Sequence, residues 1–147
     1  MTAIFGIWGG SGAQSLREDA ESLAQSLASY SAELDWWQGG SMILGARLLR
    51  TTPESVAETL PFVDQGSGMV IVADARLDNR SELLAALNIS DRLIPDSQLI
   101  LKAYQRWGES APTWLLGDFA FAIWDPQRQE LFCVRDHMGA KSFAYVE

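Results

Sequence analysis

Cysteine and histidine are almost absent from this sequence. Cys133 is the one cysteine and His137 the one histidine among 147 residues. One thiol cannot form an intrachain disulfide, and one thiol with one imidazole is too small a ligand set for a structural metal ion such as zinc. The sequence therefore predicts neither a disulfide framework nor a metal site, and Cys133 is expected to be a small buried residue within a strand.

Basic residues and long apolar runs are also scarce. The 11 Lys and Arg residues are scattered and are outnumbered by 19 Asp and Glu residues, which gives a net charge of −8. This balance argues against nucleic acid and anionic membranes as partners. No apolar run approaches the roughly 18 residues of a membrane-spanning helix, and the N-terminus lacks the charged and apolar regions of a signal peptide. We therefore expect a soluble, cytoplasmic protein.

Apolar residues are plentiful, and their spacing predicts the elements of one domain over residues 1–147. A hydrophobic content of 48% is enough for a single core in a chain of this length. The spacing predicts strands over 2–8, 41–49, 69–77, 119–124 and 130–135, and helices over 15–28, after 79 and from 95 to 107. Residues 9–12 (Gly-Gly-Ser-Gly) are predicted as a turn without the lysine of a phosphate-binding loop. Because strands and helices do not alternate regularly, an α+β fold with antiparallel sheets is favoured.

Three sites carry the signals of helix starts. Ser15 with Glu18 matches a capping box, and Asn79 with Glu82 repeats the pattern. Asp96 opens the third predicted helix, where its carboxylate could accept hydrogen bonds from free backbone N–H groups. We therefore predict side-chain caps at all three helix starts.

The stretch 115–136 predicts a buried β-hairpin around which the rest of the chain is arranged. Large apolar residues occupy every second position there, at Phe119, Phe121 and Ile123, and the positions between them form an alanine-rich face of Ala120, Ala122 and Trp124. Both faces are apolar, so the strand should be covered on both sides. Asp and Pro at 125–126 supply turn residues before the chain returns as a second strand.

The same stretch carries a family resemblance. LLGDFAFAIWD at 115–125 and RDHMGAKSFAY at 135–145 resemble the end of the glutaminase domain of asparagine synthetase-type class II glutamine amidotransferases. The family runs are approximately L-x-G-x-F-A-F-A-I-W-D and R-D-x-x-G-x-K-P-L-Y. The resemblance extends from Ile4 to Tyr145. It implies an αββα four-layer sandwich of antiparallel sheets, the fold of N-terminal-nucleophile hydrolases.

The resemblance places Thr2 where the family has its nucleophile. In the family motif M-C-G-I-x-G, removal of the initiator Met exposes the α-amine of Cys, which can activate the thiol. This sequence begins Met1-Thr2-Ala3. A threonine hydroxyl can also be activated by its own α-amine. However, the family uses Cys for glutamine, so the exchange implies that glutaminase activity is lost, whereas the simplest interpretation is that Thr2 only begins a strand.

The resemblance also assigns substrate-binding positions. Arg47 stands where an Arg holds the glutamine carboxylate, although it also fits a solvent-facing strand residue. Asp74, Ala75 and Arg76 replace the family's Asn-Gly-Glu, so a carboxylate stands where an oxyanion-hole donor is needed. Asp96 stands where an Asp holds the substrate amine, a role that a helix cap would not exclude. We therefore expect no binding of glutamine.

These features favour a non-catalytic glutaminase-like domain of an ATP-dependent, amide-forming synthetase. The run DARLDNRSEL at 74–83 resembles the divergent branch of β-lactam synthetase and lasso peptide cyclases. In that branch an amine within the substrate closes the ring, so no ammonia is needed. The S-G-G-x-D-S loop of the synthetase domain is absent from this sequence. ATP and Mg²⁺ are therefore expected only in a synthetase domain. We expect residues 1–147 to be the N-terminal part of a longer asparagine synthetase-like protein that carries this domain, and a stand-alone domain that docks on a partner chain is the alternative.

Two alternatives and several partners stay open. The chain could be a hydrolase that uses Thr2 after loss of Met1, or a regulatory module that binds an amino acid through Arg47 and Asp96. The partners expected are the synthetase domain and, for the full enzyme, a peptide substrate. The oligomeric state is open, a homo-oligomer included.

Overall fold

The computed structural model describes residues 1–9 and 12–147. The strands are β1 (Ala3–Trp8), β2 (Leu34–Gly39), β3 (Met42–Arg47), β4 (Phe62–Val63), β5 (Val70–Leu77), β6 (Gly117–Asp125) and β7 (Glu130–Arg135). The α-helices are α1 (Ala13–Ser26), α2 (Arg80–Ala86) and α3 (Asp96–Trp107), and single 3₁₀ turns cover Glu54–Ala57 and Gly108–Trp114. Residues 10 and 11 of the turn predicted at 9–12 lie outside the described residues.

The strands form two antiparallel sheets. The first has the order β1-β3-β2, and the second has the order β4-β5-β6-β7. In the second sheet, Val70 pairs with Trp124 at one end of the β5–β6 ladder and Leu77 pairs with Gly117 at the other. The predicted hairpin at 115–136 is therefore the β6–β7 unit, with β6 in the interior of its sheet.

Three apolar clusters show that the sheets and helices are stacked in four layers. One cluster joins α1 to the first sheet through Leu16, Ala20 and Ala24. A second fills the space between the sheets, and a third joins the second sheet to α2 and α3. The layer order is thus α–β–β–α, and the predicted α+β sandwich of antiparallel sheets is confirmed.

The alternation in β6 explains why the second sheet is covered on both faces. Phe119, Phe121 and Ile123 belong to the helix-side cluster, and each is at most 1% exposed. Ala122 and Trp124 belong to the cluster between the sheets. Full burial of a large apolar side chain contributes roughly 1.5–3 kcal/mol, so this strand contributes to two cores at once.

One glycine is required where β6 begins. Gly117 has φ +141°, and a Cβ there would lie 2.0 Å from the backbone carbonyl oxygen of Arg76. Such a distance is far inside van der Waals contact, so no other residue fits without movement of the backbone. This glycine therefore permits the close approach of β5 and β6 at that end of the sheet.

All three predicted side-chain caps are wrong. Helix α1 begins at Ala13 after Gly12, which places Ser15 inside the helix, and α1 has no side-chain cap. Asn79 does occupy the cap position of α2, but its side chain binds the backbone of the loop before β6 instead. Asp96 is the first residue of α3, and Pro95 precedes it as the cap residue.

Two further predictions need correction. The strand predicted over 41–49 is shorter, and a separate strand, β2, lies before it at Leu34–Gly39. Cys133 is exposed rather than buried, because it lies on the outer strand β7.

Within the described ranges, no helix combines the length and the apolar character needed to cross a lipid bilayer.

Candidate active site

A cleft of about 230 Å³ opens at one end of the space between the two sheets. It continues the intersheet cluster at Leu48 and Leu60. Side chains alternate along β5, so Asp74 and Arg76 follow Val72 on the face turned toward the first sheet. Five of the six residues predicted from the sequence line this cleft: Thr2, Asp74, Ala75, Arg76 and Asp96.

Thr2 lies at the cleft with its hydroxyl already engaged. The residue is 8% exposed, and its Oγ1 donates to the carbonyl oxygen of Leu49 at 3.3 Å. The same oxygen accepts a hydrogen bond from the Leu49 N–H at 3.1 Å. These two bonds hold the strand start to the chain after β3. A nucleophilic role would require the hydroxyl to give up its bond to the Leu49 carbonyl.

Arg47 lies on the opposite face of the first sheet, away from the cleft. Its Nε donates to the carbonyl of Ala24 at 2.8 Å, and its Nη1 donates to the carbonyl of Ser31 at 2.7 Å. Ala24 is near the C-terminal end of α1, where free carbonyls favour a cation. Arg47 is only 7% exposed, so the interpretation of a solvent-facing residue is wrong. Its guanidinium fastens α1 to the sheet, and in this geometry it does not reach a substrate carboxylate in the cleft.

Asp74 forms an ion pair that the sequence did not predict. Lys141 Nζ lies 2.9 Å from Asp74 Oδ2, and both side chains are less than one-fifth exposed. The backbone that carries Lys141 is held by Asp136, whose two carboxylate oxygens accept the N–H groups of Ala140 and Lys141 at 2.8 and 2.9 Å. Burial acts to raise the pKa of Asp136, but these and other N–H donors together hold that pKa below its ordinary value. The sequence signal for Lys141 was the lysine of the resembling run RDHMGAKSFAY.

Arg76 lies on the rim of the cleft. Its guanidinium contacts Asp118 at 2.9 Å and Asp78 at 3.5 Å, and its side chain is 57% exposed. Ala75, between Asp74 and Arg76, packs against the helix-side cluster. The three residues that replace the family's Asn-Gly-Glu thus contribute one inward carboxylate and one outward guanidinium to the cleft.

Asp96 already has a cationic partner and a backbone donor within the protein. One carboxylate oxygen accepts a hydrogen bond from Arg80 Nη1, and the other accepts the Leu77 N–H at 3.0 Å. Arg80 is fixed in turn by the carbonyl oxygen of Ile94 at 2.7 Å. Burial raises the pKa of Asp96, although these donors act to lower it. Asp96 therefore joins β5 to α3 beside the cleft.

Glu58 is a cleft residue that sequence reasoning missed. It is 6% exposed, and its Oε1 accepts the Ser97 hydroxyl at 2.6 Å while its Oε2 accepts the Ser97 N–H at 3.4 Å. Burial raises its pKa, with the charge of Asp96 adding to the effect and the hydrogen bonds from Ser97 opposing it. Glu58 follows a 3₁₀ turn in an irregular segment, so no periodicity or motif marked it.

Acidic residues of the cleft do not form a metal site. Within the part of the chain that the structure describes, no group of three His, Cys, Asp or Glu residues is placed to hold a metal ion. The polar groups that line the cleft are ion-paired side chains, hydroxyl groups and the carboxyl group of Glu58.

The sequence matches one protein-family model, described as a glutamine amidotransferase domain, over residues 47–147. The match covers more than two-thirds of the chain and includes Asp74, Arg76 and Asp96. Thr2 lies outside it.

Curated relatives point to the same family. Amidase chry2 of Gibberella zeae is 32% identical over 88 residues, which are 58% of this chain and 13% of that protein. Asparagine synthetase [glutamine-hydrolyzing] 2 of Bacillus subtilis is 31% identical over 88 residues, 59% of this chain and 12% of that protein. Asparagine synthetase [glutamine-hydrolyzing] 3 of the same organism is 40% identical over 70 residues, 48% of this chain and 11% of that protein. The matched part thus spans only about one-eighth of the length of these relatives.

Proposed function

This chain belongs to the family of glutamine amidotransferase domains, and from that premise we propose that it no longer hydrolyses glutamine. Its role is that of a non-catalytic domain of an ATP-dependent, amide-forming synthetase related to asparagine synthetase. ATP and Mg²⁺ bind in the synthetase domain, which is C-terminal to this segment or is carried by a partner chain.

The pair of Asp74 with Lys141 is the observation that carries this proposal. Hydrolysis of an amide requires hydrogen-bond donors aimed at the oxyanion as its charge develops. Asp74 stands at the donor position of the resembling motif, and an ionised carboxylate repels an oxyanion. The ammonium group of Lys141 is 2.9 Å from Asp74, where it neutralises that carboxylate instead of a reaction intermediate.

The state of Thr2 supports the same conclusion. A threonine nucleophile needs a base, and in this fold the base is the α-amine of the same residue. While Met1 is attached, that nitrogen is an amide and cannot accept the proton. The hydroxyl is also held by both backbone groups of Leu49. The simplest role for Thr2 is to anchor the start of β1.

We further propose that the full enzyme belongs to the branch that includes β-lactam synthetase and lasso peptide cyclases. In those enzymes the attacking nitrogen is an amine of the substrate itself, so a supply of ammonia from glutamine is unnecessary. The loss of the Cys nucleophile and the run at 74–83 support this assignment. A peptide that carries its own amine is then the substrate of the full enzyme.

A glutaminase assay with matched variants tests the proposal. Purified protein is incubated with L-glutamine, glutamate release is measured, and intact mass records whether Met1 is present. We expect the wild type and Thr2→Ala to release glutamate at the same background rate. Release that depends on Thr2, in protein from which Met1 has been removed, would establish the alternative of a threonine hydrolase and refute the proposal.

A variant that restores the family residues serves as the positive control. It combines Thr2→Cys with Asp74→Asn and Arg76→Glu, which supplies a thiol and returns an amide donor to the oxyanion position. If this variant releases glutamate while the wild type does not, the fold supports hydrolysis and the loss lies in these residues. The assay is then known to be sensitive enough for the negative result.

A further inference from the structure

Glu58 differs from the other carboxylates of the cleft in having no ion-pair partner, since the Arg50 guanidinium near it donates to the Glu58 backbone carbonyl at 2.9 Å and pairs with Glu33. Asp74 pairs with Lys141, Asp96 with Arg80 and Asp118 with Arg76. In the part of the chain that the structure describes, no Lys, Arg or His nitrogen lies within ion-pair distance of the Glu58 carboxyl group. A buried carboxylate without a counter-charge is costly, and proteins generally pair such groups. Glu58 is therefore the carboxylate in the cleft to which a ligand can supply a counter-charge.

The position of Glu58 is fixed, and part of its hydrogen-bonding capacity is free. Ser97 donates one hydrogen bond to each carboxylate oxygen, at 2.6 Å from its hydroxyl and at 3.4 Å from its N–H. Ser97 is 1% exposed and lies in the first turn of α3, so these donors are rigid. The Thr59 N–H also acts on this carboxylate, and because a carboxylate has about four acceptor positions, at least one remains for a donor from the cleft.

The size of the cleft limits what can enter. Pockets for drug-sized ligands are roughly 300–1,000 Å³, whereas this cleft is about 230 Å³. It admits the end of a chain rather than a whole metabolite of that size. Hydroxyl-bearing residues Thr51 and Thr52 line the same space as Glu58.

We propose that Glu58 binds a primary ammonium group on an aliphatic chain that carries no adjacent carboxylate. An ammonium offers three N–H donors to carboxylate and hydroxyl oxygens and supplies the missing counter-charge. A free amino acid fits less well, because Arg47 faces α1 and the two cationic side chains that line the cleft, Arg76 and Lys141, are held by Asp118 and Asp74. The ligand class is thus a lysine-type side chain or another alkyl amine.

This site is distinct from the amine position that the family resemblance assigns. That resemblance gives the role to Asp96, but the charge of Asp96 is already balanced by Arg80, and its second oxygen accepts the Leu77 N–H. The inference does not depend on the loss of glutaminase activity, since a protein can bind an amine whether or not it hydrolyses an amide. Amine binding and glutamate release are measured separately, so the failure of one is distinguishable from the failure of the other.

A titration of the whole chain with n-propylammonium chloride tests the site. The amide resonance of Ser97 is followed in ¹H–¹⁵N NMR spectra, with sodium chloride added to keep the ionic strength constant. We expect a saturable shift of Ser97 with n-propylammonium. Tetramethylammonium, which has no N–H donors, and propionate should leave this resonance in place.

Two variants that each remove one negative charge distinguish binding at Glu58 from a general effect of the protein's net charge. Glu58→Gln keeps an acceptor for Ser97 and should weaken binding by about tenfold or more, as expected for a lost charge-assisted hydrogen bond. Glu54→Gln, four residues earlier and outside the cleft lining, should bind within about twofold of the wild type. Equal weakening by both variants would overturn the proposal.

The wild type alone also decides the question if Glu58→Gln does not fold, as judged by its ¹H–¹⁵N spectrum. A Ser97 shift that is equal for n-propylammonium, tetramethylammonium and sodium ions, or no shift at all, would refute an ammonium site. A shift that is specific to n-propylammonium would support it.

Discussion

The two halves of β5 face the same intersheet space and differ completely in chemistry. In the first half, Val70 and Val72 are opposite Trp124 and Ala122 of β6 and belong to the apolar cluster between the sheets. In the second half, Asp74 and Arg76 are opposite Ala120 and Asp118 and line the cleft. The apolar half joins the sheets, while the polar half pairs its charges locally. One strand therefore contributes both to the core and to the cleft.

The largest effect that we predict comes from the backbone at the polar end. Gly117→Ala places a methyl group 2.0 Å from the Arg76 carbonyl oxygen at φ +141°, so the strands must separate or the backbone must change. We expect a loss of about 3 kcal/mol in the free energy of unfolding, measured by urea denaturation. This result would show that the polar half depends on the close approach of the two strands at Gly117.

Gly12→Ala is the matched control for this substitution. Gly12 has a negative φ, and a Cβ there meets no atom within 4 Å. The control should change the free energy of unfolding by less than about 1 kcal/mol. Equal effects at the two glycines would contradict the role of close strand approach at Gly117.

An intermediate effect is predicted for the inward ion pair. Lys141→Met leaves the Asp74 carboxylate without a counter-charge at a site that is 15% exposed, so we expect a loss of about 2 kcal/mol in urea denaturation. Arg76→Met, at a pair more than half exposed, should cost less than about 1 kcal/mol.

The double variant Asp74→Asn with Lys141→Met separates pairing from lost packing. It should recover most of the loss caused by Lys141→Met, because no isolated charge remains. If the double variant is as unstable as the sum of the two single variants, the two groups do not interact as the structure indicates.

The smallest effect is a change in how stability depends on pH. Burial raises the pKa of Glu58 above its ordinary value of 4.5, so the unfolded chain loses this proton first as the pH rises. The contribution of Glu58 to stability is therefore complete below about pH 4.5 and is lost as the pH rises through the raised pKa. Glu58→Gln should gain stability relative to the wild type across that range, as measured by thermal unfolding at several pH values.

Glu54→Gln should give the opposite trend. A hydrogen bond from its own backbone N–H lowers the pKa of Glu54, so its contribution is present above pH 4.5 and is lost as the pH falls. The variant should therefore lose stability relative to the wild type as the pH rises toward 4.5. If the stability of both variants relative to the wild type changes in the same direction with pH, the surroundings of Glu58 do not disfavour its ionised form.

The elements that could be predicted from the sequence are those whose residues follow a clear local spacing pattern. Strand β6 was recognisable because both of its alternating faces are apolar, and this agrees with its position between two cores. The capping box at Ser15 was wrong because α1 begins two residues earlier, at Ala13. The one at Asn79 was wrong because its side chain bonds to the backbone of Trp114 and Leu116 instead of to its own helix. Strand β2 was missed because its alternation is weak: none of its residues is fully buried.

The cleft depended on contacts between distant segments. Glu58 and Ser97 are 39 residues apart, and Asp74 and Lys141 are 67 apart, so no spacing rule relates them. The face of the sheet on which the Arg47 side chain lies could not be predicted either. Alternation along the strand is compatible with either face, and packing against α1 determines which one it takes. Thr2, Asp74 and Asp96, which the family resemblance assigned to one site, all line the cleft, but the resemblance did not predict the groups that they contact.

The contact of Arg47 with α1 has a consequence for the order in which the layers open. Helix α1 contributes only one leucine and two alanines to its buried cluster, whereas α3 has six buried residues. Local unfolding begins where the least apolar area is buried, so the α1 layer is the first that can detach. The guanidinium that bonds to the carbonyls of Ala24 and Ser31 resists this step and thereby protects the outer face of the first sheet from solvent and proteases.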